Sequence, residues 1–171
     1  EIVTDHIERF TEKGLLLKSG KELEADMVVT ATGLRMEFLS NILMEIDGKT
    51  INMPELYVYR GMMFSDVPNF TQFVGYTNAS WTLKTDLSSA YVCRLLNYMK
   101  KTGHKLVTPR LDDPEMEREP IIDFSSGYIK RAADLLPKQG NKKPWKLYQN
   151  FFKDTFSLKY SKIDDGVLEF K

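Results

Sequence analysis

Residues 70–103, FTQFVGYTNASWTLKTDLSSAYVCRLLNYMKKTG, decide the fold, because they predict a strand, a turn and a long helix in that order. The apolar run at residues 70–76, which contains Gly75 near its end, is typical of a buried strand. Apolar side chains then recur at three- and four-residue spacing, which predicts an amphipathic helix. These side chains are Leu83, Leu87, Tyr91, Leu95 and Tyr98. A pair of lysines and then Gly103 predict the end of the helix.

The start of this helix is the first candidate site. Asn78, Ser80 and Thr82 all offer oxygens that can cap a helix. The first turn of a helix presents backbone N–H groups without partners in the helix, and it carries the positive end of the helix dipole. An anionic or electron-rich ligand atom can therefore bind there. An ordinary capped helix packed on a sheet explains the same pattern, so both interpretations stay open.

The residues before this stretch predict further strands. Short apolar runs and glycine-containing turns at residues 2–24 indicate a small antiparallel meander. Residues 27–32 form an almost continuous apolar and β-branched run before Gly33, as expected for a strand buried on both faces. A strand is also predicted at residues 56–64, followed by a turn at residues 66–69.

Shorter elements are predicted between and after these strands. A short helix is expected at residues 37–43, and the Asp47-Gly48 pair suits a tight hairpin. Residues 109–120 are rich in charged residues and proline, which favours a solvated connection. Beyond it we expect a helix from Ser125 or Ser126 to Leu136, a second helix starting near Pro144, and a frayed tail from Lys159.

The composition limits the function classes. Acidic and basic residues balance at 24 each, so the sequence has no electrostatic footprint for nucleic acid or an anionic membrane surface. Cys93 is the single cysteine, and we find no apolar run of membrane-spanning length and no signal peptide. These features favour a reducing, cytoplasmic setting. The chain begins at Glu1, which we interpret as a fragment of a longer protein.

Several longer motifs resemble known flavoproteins. The run at residues 24–33, EADMVVTATG, resembles the strand that leads from the NADPH domain back to the FAD domain in flavoproteins with two dinucleotide-binding domains. Residues 61–84, from GMMF to GYTNASWTLK, are similar to the ethionamide-activating branch of the Baeyer-Villiger monooxygenases. So are VCRLLNYM at 92–99, LPKQG at 136–140 and the Pro144-Trp145 pair. The resemblance covers nearly the whole chain.

The resemblance implies an α/β fold, the C-terminal part of a protein with two dinucleotide-binding domains. Residues 1–33 would be the meander and strand that link the NADPH and FAD domains. Residues 34–108 would complete the FAD-binding domain, and residues 109–171 would form a C-terminal helical extension. The phosphate-binding Gly-x-Gly-x-x-Gly loops and the family's catalytic arginine are not in this sequence, so we expect them upstream of Glu1.

The resemblance also implies an activity. A member of this family binds FAD, reduces it with NADPH, and uses O2 through a C4a-peroxyflavin to oxygenate a ketone or a sulfur compound. The fragment alone is then expected to be inactive. An N- or S-oxygenating flavin monooxygenase of the same fold and a non-catalytic binding or dimerisation module stay open as alternatives, as does the oligomeric state. In disulfide-reductase relatives an aspartate follows the glycine, whereas Tyr76 follows Gly75 here, which favours the monooxygenase branch.

Candidate site residues follow from the family position of these motifs, and no catalytic residue is nominated. The residues expected near FAD are Ala31, Thr32, Gly33, Gly75, Tyr76, Ser80, Trp81, Thr82 and Leu83. Met62, Met63 and Trp81 are candidates for lining a substrate channel, although a strand with the composition of residues 62–64 is more often core. For Trp81, a pocket role and a packing role are equally favoured.

Three other features receive structural interpretations. Cys93 is expected to be a buried packing residue, because apolar residues flank it in the helix. His6 and His104 have no second ligand at metal-binding spacing, so no metal site is expected. Lys142 and Lys143 are expected at a solvated helix start, with an anionic neighbour such as an NADPH phosphate as the alternative.

Overall fold

The structure is a computed structural model that describes residues 1–122 and 124–171, and it divides into two compact units, residues 1–34 and 35–171. The first unit is a three-stranded antiparallel sheet of β1 (Ile7–Thr11), β2 (Gly14–Leu17) and β3 (Glu22–Glu24) in that order. This confirms the predicted meander. A Cβ at Gly14 would lie 2.0 Å from the Leu23 carbonyl oxygen, so only glycine allows this approach of β2 to β3.

The buried strand predicted at residues 27–32 is absent, and this prediction is wrong for the described structure. Met27 and Val29 are each 81% exposed and belong to no strand. A strand buried on both faces needs a neighbouring strand on each edge and layers above and below. The described part of the first unit offers only the small meander, so this apolar run has no strand to pair with.

The second unit begins with one turn of 3-10 helix (Phe38–Asn41) where a short helix was predicted, and with the predicted hairpin. Strands β4 (Glu45–Ile46) and β5 (Lys49–Thr50) pair in antiparallel register. Asp47 and Gly48 connect them with φ values of 50° and 77°. Two left-handed residues match the twist of a two-residue hairpin, which explains why this sequence signal was reliable.

Residues 56–64 form a hairpin rather than the single strand predicted. A second 3-10 turn (Met53–Glu55) leads to β6 (Val58–Tyr59), which pairs with β7 (Met63–Phe64). Arg60 and Gly61 turn the chain with positive φ values of 50° and 77°. The glycine inside an apolar run was the signal for this turn.

The predicted strand at residues 70–76 is also wrong, since these residues have no strand partner among the described residues. Phe73 is 43% exposed. The predicted turn at residues 66–69 is confirmed, with Asp66 and Asn69 both at positive φ. The backbone amide of Gln72 donates to the Met62 carbonyl at 2.7 Å, but the described structure shows no ladder of such bonds in this segment.

Helix α1 (Trp81–Thr102) confirms the predicted long helix. Its buried stripe is Leu87, Tyr91, Leu95 and Met99. Gly103 ends the helix in the left-handed conformation with φ of 80°, as predicted from the cationic last turn and the glycine. Cys93 is exposed, so the prediction of a buried cysteine is wrong. It lies on the solvent face because Leu95 and Tyr91, two positions to either side, occupy the buried one.

The C-terminal residues contain both helices and strands. Strand β8 (Val107–Pro109) pairs with β11 (Leu168–Phe170), and β9 (Arg118–Pro120) pairs with β10 (Lys138–Gly140). Helix α2 (Gly127–Ala132) has Ser126 as its N-cap, as predicted, but it ends before Leu136. Helix α3 (Phe151–Thr155) continues as one turn of π-helix (Phe156–Tyr160).

Two predictions in this region are wrong. The last helix begins at Phe151 rather than near Pro144, and Asn150 caps it by accepting a hydrogen bond from the Lys153 amide. The residues after Lys159 are not frayed, because β11 pairs with β8 and the side chains of Ile163 and Leu168 are buried. In the described part of the chain, no helix combines the length and the apolar character needed to cross a bilayer.

The main core lies between α1 and the C-terminal residues. It joins the buried stripe of α1 to side chains from residues 57–63, 107–116 and 145–168. Its buried members from outside α1 are Tyr57, Tyr59, Met62, Met63, Val107, Met116, Trp145, Leu158, Ile163 and Leu168. A smaller cluster is formed by Val58, Phe64 and Val67. Burying one such large side chain contributes about 1.5–3 kcal/mol.

Candidate functional site

A cavity of about 490 Å³ lies beside the start of α1 in the second unit. Its walls come from residues 36–38, from the segment that leads into α1, and from residues 121–122 and 124–136. Most of the lining side chains are aliphatic or aromatic, and Glu37, Gln72, Thr77 and Gln149 supply polar groups. Apolar walls with a few polar groups are typical of small-molecule sites.

Trp81 forms part of one wall of this cavity, and Gly75 packs against it. Trp81 lines the cavity and is 55% exposed. A Cβ at Gly75 would lie 2.3 Å from two indole carbons of Trp81 and 2.6 Å from its Cα. Gly75 is therefore required for the close approach of the two chain segments, whatever ligand the cavity accepts.

The first turn of α1 is not capped as the sequence predicts. Ser80 is the N-cap residue, but its side chain accepts no hydrogen bond from the helix amides. Its hydroxyl instead lies 2.9 Å from the Thr82 hydroxyl, and the Asn78 side chain donates to the Gln149 carbonyl at 3.1 Å. No side-chain cap therefore occupies the amides of the first turn, and these amides carry the positive end of the helix dipole.

Three ionisable side chains meet at one carboxylate oxygen behind the cavity wall. The Tyr76 hydroxyl donates to Asp154 Oδ2 at 2.8 Å, and Lys84 Nζ lies 3.0 Å from the same oxygen. All three side chains are buried. Burial raises the pKa of Tyr76, and the Asp154 carboxylate raises it further. Burial lowers the pKa of Lys84 against the opposing effect of Asp154. The group ties the segment before α1 to α3.

A second polar network surrounds Arg60 in the main core. Its guanidinium donates to the Tyr59 hydroxyl at 2.8 Å, to Asp165 at 2.9 Å, and to the carbonyl and hydroxyl of Ser157. The Tyr59 hydroxyl donates to Asp165 at 2.7 Å and lies 3.0 Å from the Tyr91 hydroxyl. Burial raises the pKa of both tyrosines. This network satisfies a buried cation and fixes the β6–β7 turn.

The structure brings part of the predicted cofactor set together. Tyr76 and Trp81 line the cavity, and Gly75 packs against Trp81. The remaining members of this segment, Ser80, Thr82 and Leu83, form the exposed start of α1. Ala31, Thr32 and Gly33 belong to the first unit, where they are exposed. Met62 and Met63, the candidates for substrate lining, are 0% exposed and belong to the main core.

The basic patch at residues 142–146 is organised differently from the predicted helix start. Lys142 forms an ion pair with Asp113 at 2.5 Å, and Lys146 pairs with Glu119. Trp145 is buried, with its ring centroid 5.6 Å from that of Tyr59. For the residues that the structure describes, no group of three potential metal ligands occurs.

Sequence reasoning missed Lys84, Asp154 and the Arg60 network. A signal existed for Lys84, because it lies on the same helical face as Ser88 and Tyr91, and a lysine on a buried face needs an anionic partner. Asp154 gave no comparable signal, since its pairing with Lys84 joins residues 70 positions apart. Its carboxylate looks like an ordinary helix-surface residue in the sequence.

This chain has curated relatives of similar sequence. No family model and no solved structure matches it. It is 49% identical over 170 residues to the probable FAD-binding monooxygenase AlmA of Acinetobacter baylyi, covering 99% of this chain and 34% of that protein. It is 47% identical to the FAD-containing monooxygenase EthA of Mycobacterium tuberculosis, covering 99% of this chain and 35% of that protein.

The putative FAD-containing monooxygenase MymA of Mycobacterium tuberculosis is 46% identical over 170 residues, again covering 99% of this chain and 34% of its own length. The chain spans about a third of the length of the curated relatives it matches. Identity at this level along 170 residues reflects common ancestry. Nearly the whole chain is homologous to a segment that makes up about a third of each of these three monooxygenases.

Proposed function

We propose that this chain forms part of an FAD-dependent monooxygenase and that the cavity beside α1 accepts the isoalloxazine ring of FAD. The observation that carries the proposal is the meeting of an apolar cavity of about 490 Å³ with a helix start that has no side-chain cap. The printed names of the relatives, which are FAD-binding or FAD-containing monooxygenases, support the choice of cofactor.

The lining residues suit a flat, largely apolar ring system. Glu37 is the only formally charged residue among the described lining residues, so the cavity offers no cation for a diphosphate. The ring of FAD rather than its phosphate-bearing part is therefore the portion that fits. Gln72 and Gln149 supply the polar groups that can hydrogen-bond to carbonyl and nitrogen atoms at a ring edge.

The residues of this chain would then have two roles. The amides at the start of α1, which have no side-chain cap, would bind the electron-rich edge of the ring, where fixed dipoles stabilise negative charge without rearranging. Trp81 and Tyr76 would exclude water from the ring and hold it in position. When bound, FAD supplies the redox chemistry that activates O2.

The finer assignment rests on the resemblance of the Gly75-Tyr76 segment to Baeyer-Villiger enzymes. We propose NADPH as the reductant, O2 as the co-substrate, and a ketone or a sulfur compound as the acceptor of one oxygen atom. We also propose a cytoplasmic location and no turnover by this chain alone. Oxygenation of nitrogen or sulfur compounds is the alternative for the same fold.

The experiment uses protein expressed from the complete reading frame that contains this chain. We expect purified protein to carry bound FAD, to oxidise NADPH, and to convert a ketone into an ester when offered a ketone, a thioether and a tertiary amine in parallel. Mass spectrometry of the products distinguishes ketone from heteroatom oxygenation. A purified, folded protein without flavin absorbance would contradict the proposal.

Two alanine variants test where the ring binds, one at a tryptophan and one at a phenylalanine. Trp81→Ala should shift the visible flavin spectrum and weaken FAD retention, because it removes a cavity wall. Phe152→Ala is the matched control, since Phe152 is an exposed aromatic residue that does not line the cavity. Equal spectra for wild type and Trp81→Ala would place the ring elsewhere.

A further inference from the structure

A second, open cavity of about 580 Å³ lies at the β6–β7 turn and the π-helical turn after α3. Arg60, Lys143 and Lys153 contribute cations to its lining, and Ser157 contributes a hydroxyl group. Asp165 is the one acidic residue among the described residues that line it. The proposed FAD cavity also lies in the second unit, but a different set of residues lines it.

The negative charge of Asp165 is already compensated by groups within the protein. Its Oδ2 accepts hydrogen bonds from the Arg60 guanidinium at 2.9 Å and from the Tyr59 hydroxyl at 2.7 Å. Its Oδ1 accepts from the backbone amide of Val167 at 3.1 Å. Asp165 and Arg60 therefore neutralise each other, and neither compensates the two lysines of the cavity.

Lys143 and Lys153 have no acidic partner among the residues that the structure describes. Their ammonium groups lie 5.5 Å and 4.8 Å from the centroid of the same aromatic ring, that of Tyr148. Among the described residues, neither lysine forms an ion pair, whereas neighbouring Lys142 and Lys146 both do. Two like charges around one ring repel each other, and an anion between them would relieve the repulsion.

A smaller pocket that shares lining residues with this cavity brings further cations into the region. It shares Arg60, Lys143 and Lys153 with the larger cavity, and it also contacts Lys84 and Lys146. Those two cations are each balanced by one carboxylate, Asp154 and Glu119. The uncompensated charge of the region is therefore that of Lys143 and Lys153, about two positive charges in a chain whose formal net charge is zero.

We propose that this cavity binds a phosphate group of a small molecule between Lys143 and Lys153. A phosphate monoester carries between one and two negative charges near neutral pH, which matches the two free ammonium groups. Its oxygens can also accept a hydrogen bond from the Ser157 hydroxyl, which accepts from Arg60 and keeps its own proton to donate. The site is independent of the proposed FAD cavity.

The test is a titration of the full chain with inorganic phosphate at low ionic strength. Binding is monitored by NMR through the backbone amide chemical shifts of the nitrogen-labelled protein. The largest shifts are expected at Lys143, Lys153 and Ser157. The double variant K143A/K153A should bind phosphate on the order of tenfold more weakly or worse, because it loses two charge-assisted contacts. K143R/K153R should retain binding.

The matched control is K159A/K162A, which removes the same charge from exposed lysines that line neither cavity. It should leave the affinity within about twofold of wild type. Equal weakening by both double variants, or shifts of the wild-type protein that map away from residues 143–157, would overturn the proposal. The wild-type shift map decides the question if a variant fails to fold.

A parallel arm identifies the source of the phosphate group. Vesicles of phosphatidylglycerol replace inorganic phosphate in a sedimentation assay. The proposal expects phosphate binding with no vesicle binding beyond that of K143A/K153A. Vesicle binding that depends on both lysines, without binding of free phosphate, would overturn the small-molecule assignment and indicate a lipid headgroup.

Discussion

The two ends of α1 differ in how they are packed. In the second half of the helix, Leu95 is 2% exposed and Met99 is 8% exposed, and both belong to the main core. In the first turn, Trp81 and Leu83 are 55% and 42% exposed. The second half therefore contributes to stability, while the first turn leaves apolar side chains and backbone amides available to a ligand.

The largest expected effect comes from the packed end. Leu95→Ala should lower the free energy of unfolding by about 2–5 kcal/mol, because it removes buried methyl groups and leaves a cavity in the core. Urea denaturation followed by circular dichroism measures the change. Leu96→Ala is the control on the same helix, since Leu96 is 58% exposed, and it should change stability by less than about 0.5 kcal/mol.

Leu83→Ala tests whether the two ends of α1 differ in their contribution to stability. If both ends of α1 contributed equally, Leu83→Ala would destabilise the protein as much as Leu95→Ala does. We expect a change of less than about 1 kcal/mol, because Leu83 is partly exposed already.

A smaller effect is expected for Gly75→Ala at the open end. The new Cβ would fall 2.3 Å from the Trp81 ring carbons and 2.6 Å from its Cα, so the two segments must separate. Overpacking of this kind destabilises by about 1–3 kcal/mol. The indole should become more exposed, which is measured by quenching of tryptophan fluorescence with acrylamide.

Gly127→Ala is the matched control for this change. Its Cβ would approach only the far end of the Arg131 side chain, at 3.2 Å, and a side-chain end can move aside. Fluorescence quenching should then equal that of wild type. An unchanged Trp81 environment in Gly75→Ala would show that the packing of Gly75 against Trp81 is loose.

The sequence predicted the elements whose stability is local. The spacing of Leu87, Tyr91 and Leu95 determined α1, and the Asp47-Gly48 pair determined a hairpin, because a helical face and a left-handed turn depend on neighbours in sequence. The apolar runs at residues 27–32 and 70–76 were wrong as strands. A strand forms only when another segment pairs with it, and single-sequence patterns do not reveal that segment.

The candidate site was predictable to a similar extent. The family motif placed Gly75, Tyr76 and Trp81 in one segment, and the structure arranges Tyr76 and Trp81 around a cavity. Side-chain capping by Ser80 was a local rule that failed, since its hydroxyl lies beside Thr82 instead. The pairing of Lys84 with Asp154 was beyond prediction because it depends on the docking of α3 against α1.

Alkaline pH should destabilise the main core, which contains Tyr59. The ordinary pKa of tyrosine is 10.0, and burial raises the pKa of Tyr59 well above it in the folded protein. Stability is therefore complete below pH 10 and falls as the pH rises above it, since only the unfolded state releases the proton. The slope is about 1.4 kcal/mol per pH unit for each such tyrosine. Urea unfolding at several pH values measures it.

Tyr59→Phe should reduce this alkaline slope, even though it also weakens the contacts to Asp165 and Arg60 at neutral pH. Tyr160→Phe, which removes the hydroxyl group of an exposed ring, is the matched control. A slope that is identical in wild type and Tyr59→Phe would contradict the burial of this phenol.

The smallest effect is expected for Cys93, which tests the faces of α1 directly. Burial among Val92 and Leu96 was the sequence expectation, whereas the structure places this thiol on the exposed side. Cys93→Ser should then change the free energy of unfolding by less than about 0.5 kcal/mol. The folded wild-type chain should react with a thiol reagent such as Ellman's reagent at a rate close to that of the urea-unfolded chain. Strong protection of the thiol would mean that Cys93 is buried. The buried stripe of α1 would then lie on a face other than that of Tyr91 and Leu95.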